Sequence, residues 1–269
     1  MPYPDRHELL QRVYNKQKAR SLSGLQISEI EFLKYPKHQT SVCILSRVAD
    51  PDTVVIYTYG GLTPHFFYYN ADGTIADKTG DGIYQFTWEW MHYWLDQNVA
   101  VAIFDVPDYF VAYGKGWVGS FYRESLDRRR EALQVIDILS NKFPNAKLNW
   151  FGISYGALDV ANISLVETKL HKIVSASGTW HVLDGIDKHH QGARLDTYDV
   201  ADSKTPILIV MHEKEVWEKA QEQMSKTDSI LVTNNVSAED GHYFRKRQKE
   251  VITAICDWFR DKPIPKIIP

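Results

Sequence analysis

Asn149-Trp-Phe-Gly-Ile-Ser-Tyr-Gly-Ala-Leu-Asp-Val-Ala-Asn-Ile-Ser164, in one-letter code NWFGISYGALDVANIS, decides how the rest of the chain is read. A Gly-x-Ser-x-Gly pattern arises by chance in about one chain in ten of this length. Position therefore carries the meaning. Gly152-Ile-Ser154-Tyr-Gly156 follows an apolar strand, Leu148 to Phe151, and opens a helix containing alanine and leucine. A nucleophile on a tight strand-to-helix turn adopts strained backbone angles, and glycines two places before and after it let neighbouring backbone pass close by. Such a turn lifts the Ser154 hydroxyl above the sheet edge and points helix-start amides at the carbonyl it attacks. A serine that only caps the helix would fit the same place. The two readings differ in what they require elsewhere, because only a nucleophile needs a base and an acid further along the chain.

Around this stretch, short apolar runs alternate with longer helical segments. TVVIYTY precedes IYQFTWEWMHYWLDQ, VAVAIFDV precedes SFYRESLDRRREALQVIDILSNKF, and LNWFGIS precedes YGALDVANISLVE. HKIVSAS, ILIVMHE with EVWEKAQEQMS, and SILVTNN with YFRKRQKEVITAICDWFRD continue the series. Runs apolar on both faces, such as VVIY, VAVAIF and ILIV, suit strands covered by helices on each side, so the pattern predicts an α/β fold with a mostly parallel central sheet. Sites in such sheets gather at the carboxyl ends of the strands. Before the alternation come a polar helix over about residues 7–19 and two strands, LQISEIEFLKY and TSVCILSRV, paired as an antiparallel entry. No linker divides the chain, which reads as one domain over residues 1–269 with an N-terminal helical extension (1–24) and an extended proline-rich tail (262–269). The long loop HFFYYNADGTIADKTGDG is expected to wall the site.

The base is expected at a later strand end, and Asp240-Gly241-His242-Tyr243 follows the last strand there. His242 is the candidate. PILIVMHEKEVW offers the acid: Glu215 is preferred because it lies further into the turn, with Glu213 and Asp184 (in SASGTWHVLDG) as alternatives. The acid would bind the far imidazole nitrogen, fixing its tautomer. The oxyanion hole takes the amide of Tyr155 and a second amide from Tyr59-Gly-Gly-Leu-Thr-Pro64, supplied by Gly61 or Leu62.

With the Gly-Gly loop, GISYG after its strand, a carboxylate after a later strand and Gly241-His242 near the end, the chain from about Leu25 onward resembles the α/β-hydrolase fold superfamily, without a large cap domain. The resemblance implies a serine hydrolase that cleaves an ester, amide or thioester through an acyl-enzyme, with Ser154 as nucleophile, His242 as base and Glu215 as acid. Two places depart from the family pattern. Tyr59-Gly60 stands where many relatives have His-Gly, and glutamate replaces the usual aspartate. An acyltransferase on the same triad, and a binding protein that kept the fold without the chemistry, are the competing readings.

Composition sets the remaining bounds. A formal charge of -3 and a pI near 6.4 provide no basic field for nucleic acid. Cys43 and Cys256 lie in apolar contexts and read as buried free thiols. No run suits a membrane span, and the N-terminal residues do not read as a signal peptide, so a cytoplasmic protein acting on a small-molecule substrate is expected. Trp180, His181 and Trp217 follow strand ends and are candidates to line the substrate pocket, whereas the aromatics of FTWEWMHYW, at helical spacing, are expected in the core. His181, His189 and His190 lack a carboxylate or cysteine at ligand spacing, so no metal and no cofactor is expected.

Overall fold

The computed structural model describes residues 29–34, 41–58, 68–69, 75–76, 90–104, 121–153, 155–164, 169–177, 203–214, 217–218, 228–233 and 241–269. In chain order the strands are β1 (Glu29–Lys34), β2 (Ser41–Ser46), β3 (Thr53–Thr58), β4 (Tyr68–Tyr69), β5 (Ile75–Ala76), β6 (Ala100–Phe104), β7 (Lys147–Ile153), β8 (Lys172–Ala176), β9 (Ile207–Met211), β10 (Asp228–Val232) and β11 (Ile267–Ile268). Nine of these form one sheet in the order β1-β2-β6-β3-β7-β8-β9-β10-β11. The expected antiparallel entry is present: β1 pairs with β2, Glu29 opposite Ser46 and Lys34 opposite Ser41, and β2 runs antiparallel to β6. Every pairing from β6 to β11 is parallel. Within the expected wall loop, β4 and β5 form a separate antiparallel pair.

The parallel strands are apolar on both faces because helices cover both. All six residues of β3 and all five of β9 are buried. Along β3 and β7 the side chains alternate with period two. Val54, Ile56, Leu148 and Trp150 pack on one face with Val135 and Leu139 of the helix Phe121–Lys142 and with Ala157 and Val160 of the helix Tyr155–Ser164. Val55, Tyr57, Phe151 and Ile153 pack on the other, against Trp90 and Trp94 of a helix described over residues 90–96, and Ile255 and Phe259 of the helix Gln248–Phe259. Phe151 stacks at 5.4 Å on Tyr57 and meets Trp90 and Trp94 at 5.4 Å each. Those two tryptophans, fully buried, are core rather than a ligand surface, as their helical spacing predicts.

Two stretches differ from expectation. The last helix, expected from Tyr243, begins at Gln248. Phe244 (φ 49°) and Lys246 (φ 67°) lie in the left-handed region, which interrupts the helix after a single turn at residues 241–242. The tail, expected only as an extended end, adds β11 to the sheet, with Leu231 opposite Ile267 and Val232 opposite Ile268. Pro263, Pro265 and Pro269 lack amide hydrogens, so only a short edge segment can pair.

Candidate active site

Strand β7 ends at Ile153 and the next helix starts at Tyr155, so Ser154 occupies the junction between them; its own placement, and the side chain of Tyr155, lie outside the described residues. What is described is the clamp on either side. A Cβ on Gly152 would run into the Gly156 carbonyl and sit 2.6 Å from Val160 Cγ2. A Cβ on Gly156 would run into the Thr58 carbonyl, with the Thr58 carbonyl carbon at 2.7 Å. Real Cβ atoms do not approach backbone so closely, so both positions demand glycine. This is the close passage of backbone expected on the two sides of the serine.

Thr58 ties the neighbouring strand to the same turn. It pairs with Gly152 at the end of β3. The buried Thr58 Oγ1 accepts a hydrogen bond from Trp150 Nε1 at 2.9 Å and faces the Gly156 carbonyl at 3.3 Å. Gly60, Gly61 and Leu62, the expected oxyanion loop, lie outside the described residues, as do Glu215, Asp184, Trp180, His181, His189 and His190. Trp217 is half-buried against the core face that contains Ala157 and Met211, the face opposite the one that carries Phe244.

The expected base is placed at the carboxyl edge of the sheet. His242 lies on the helical turn after β10, half-buried. Its ring meets Tyr243 at 4.7 Å and the imidazole of His212 at 5.6 Å, both nearly at right angles. Burial first, and the neighbouring His212 second, push the His242 pKa down to about 4, with Glu213 pulling the other way. The imidazole is neutral at ordinary pH, with a lone pair open to a proton but with basicity below that of an ordinary histidine. Phe244, fully buried two residues on, packs at 6.2 Å from Trp90 and 6.3 Å from His212, which anchors the turn to the core.

His212 and Ser177 were not singled out by the sequence reading. His212 follows β9 directly, and its Nδ1 lies 3.2 Å from Ser177 Oγ, at the end of β8. Its Nε2 lies 3.2 Å from Glu213 Oε1. Burial lowers the His212 pKa. The signal was available, since a histidine directly after a buried strand satisfies the same rule that selected His242. Glu213, the alternative acid, has an exposed side chain and contacts His212 rather than His242. Among the described residues, no group of three or more histidine, cysteine, aspartate or glutamate side chains forms a metal site.

No protein-family model and no curated protein matches the sequence. Solved structures do match. The acylaminoacyl peptidase of Pyrococcus horikoshii aligns over 90% of this chain at 12% identity with a TM-score of 0.57, and this chain spans 43% of the peptidase's length. Dienelactone hydrolase from Anabaena variabilis aligns over 87% of this chain and 98% of its own at 11% identity and a TM-score of 0.54. An arylesterase aligns over 97% and 99% at 13% identity and a TM-score of 0.53. At such identities the likeness speaks for the fold alone. Strand order, antiparallel entry, the glycine-clamped turn after β7 and these structural neighbours together show that the chain has the α/β-hydrolase fold.

Proposed function

We propose that this protein is a serine hydrolase that cleaves an ester, amide or thioester of a small to medium substrate through an acyl-enzyme. The observation that carries the reading is the double glycine constraint around Ser154, a geometry that a simple helix cap does not need. His242, neutral and on the same edge of the sheet, is the base that takes the Ser154 proton and returns it to the leaving group. Glu215 is the acid on the far imidazole nitrogen, and the Tyr155 amide with that of Gly61 or Leu62 receives the developing oxyanion. The Thr58 hydrogen bonds support this reading because they tie the last residue before the oxyanion segment in sequence to Trp150 and Gly156, which flank Ser154 in the chain. That the structural neighbours named above include a peptidase, a lactone hydrolase and an esterase favours acyl transfer to water as the reaction class. The buried free thiol of Cys256 suits a reducing compartment, and we place the protein in the cytoplasm.

A fluorophosphonate probe tests the reading. It should label the folded protein covalently at Ser154, with labelling abolished in Ser154→Ala and in His242→Ala. Absence of labelling, or labelling confined to another serine such as Ser177, would overturn it.

A further inference from the structure

The carboxyl edge of the sheet holds a second histidine that the proposed reaction does not use. Ile153 pairs with Ala176, and Ala176 with Val210, so the ends of β7, β8 and β9 stand side by side, with Ser177 directly after β8 and His212 directly after β9. Ser177 adopts φ 45°, its amide donates to the Val210 carbonyl at 2.8 Å, and its side chain is buried. A non-glycine residue held in the left-handed region is kept there by its surroundings, so its hydroxyl has a defined direction.

That hydroxyl and Glu213 fix His212 from both sides. Glu213 Oε1 lies 3.2 Å from His212 Nε2 and Ser177 Oγ lies 3.2 Å from Nδ1, with the tautomer setting which atom donates on the Ser177 side. Held between these two contacts, the His212 ring presents itself at 86° to the His242 ring. On the remaining side Phe244 meets it at 78°.

We propose that His212 is a positioning residue for His242: locked between Ser177 and Glu213, its ring is the fixed surface against which the base is set at right angles. The proposal rests on the reading of His242 as the base. Among the described residues, the titratable groups facing His242 are His212 and Glu213 from the end of β9 and Tyr243 from its own turn. A proton on His212 opposes a second one on His242, so His212 also keeps the base free of protons.

Replacing His212 with phenylalanine retains an aromatic ring and removes both locks and the ionisable group. The His242 midpoint, read by NMR titration of its ring protons in the full chain, should rise above about 4 but stay below the ordinary 6.5, because phenylalanine removes the charge of His212 and retains the burial that lowers His242 most. The labelling rate of Ser154 at neutral pH should fall at least about tenfold, with the acid limb of its pH profile moving upward with the titration. His212→Gln, which retains a donor to Glu213, should recover part of the rate. A folded His212→Phe protein with the wild-type His242 midpoint and labelling profile would overturn the proposal. Should that variant fail to fold, Ser177→Ala removes one hydroxyl only; an unchanged labelling rate and His242 titration in it would overturn the proposal equally. The NMR readout needs no activity. Unlabelled wild-type Ser154 with a moved His242 midpoint in the variant would sink the hydrolase reading alone, and labelled wild-type Ser154 with both the midpoint and the labelling profile unchanged in the variant would sink the positioning role alone.

Discussion

At the scale of single residues, Gly152 and Gly156 each stand where a Cβ would run into backbone. In Gly152→Ala the new methyl meets the Gly156 carbonyl, and backbone cannot rotate away as a flexible side chain would. The turn must open. The expected result is a loss of about 1–3 kcal/mol in denaturant unfolding and a fall in Ser154 labelling of about 100-fold, since a displacement near 1 Å at the nucleophile has that effect. A stable Gly152→Ala protein with full labelling would show that the turn is not under constraint. His242 leads to a pH prediction of definite sign. With its pKa lowered to about 4, His242 is unprotonated through the neutral range, so under the proposed reading kcat/KM should stay flat from neutral pH downward and fall as pH drops through about 4. Stability follows the same displacement. Between the ordinary 6.5 and about 4 the unfolded state binds more protons at this residue than the folded state, so stability should rise with pH across that window. His242→Gln should flatten that part of the stability profile in thermal melts taken at intervals of pH.

At the scale of elements, one buried hydroxyl reinforces the join between β3 and β7 beyond its six-residue parallel ladder. Thr58 Oγ1 is the acceptor for Trp150 Nε1, and both residues are fully buried. Thr58→Val retains the shape and strands the indole N–H, which should cost about 1–3 kcal/mol in urea unfolding; Thr58→Ser should recover most of it. If Thr58→Val unfolds at the wild-type midpoint, the bond does not tie the strands. The elements themselves were legible in the sequence because helices cover both faces of the sheet, and strands such as Ile207–Met211 must then be apolar throughout. The join was not legible. Nothing in TVVIYT tells that its final threonine, rather than the glycines after it, reaches across to Trp150. His212 escaped for a related reason: periodicity finds the strand but does not say which way the first residue beyond it turns. The choice among carboxylates failed to resolve from sequence on the same ground, since Glu213 and Glu215 lie two places apart in a turn whose direction no periodicity encodes. The structure takes Glu213 to His212.

At the scale of the whole molecule, the two edges of the sheet have different duties. The carboxyl edge carries the glycine-clamped end of β7 with His212 and His242, whereas the amino edge holds the C-terminal helix in place. β11 escaped the sequence reading because two isoleucines among prolines carry no strand signal; they pair only because the helix before them delivers the chain beside β10. The clasp that ends that helix is Asp261 (φ 61°), which accepts from Lys147 Nζ at 2.8 Å and faces Lys172 Nζ at 2.6 Å, each near the start of its strand. Lys172 also donates to the Trp258 carbonyl at 2.5 Å and lies 4.7 Å from the centre of the Trp258 ring, so one cation binds helix, turn and sheet. The hydrogen bonds from Lys147 and then Lys172 hold the Asp261 carboxyl well below the usual carboxylate range. A carboxylate with its folded pKa depressed contributes stability above its unfolded value of 3.8, and that contribution fades as pH falls through the folded one. Asp261→Asn should therefore lower the midpoint of thermal unfolding at neutral pH, and the gap between variant and wild type should close progressively below about pH 4. His171, whose Nε2 lies 3.8 Å from Asp261 Oδ2, also loses that carboxylate in the variant, so it is the part of the gap that closes below about pH 4 that reports the clasp. A gap that stays constant down to strong acid would mean that Asp261 acts through the shape of its turn rather than through its charge.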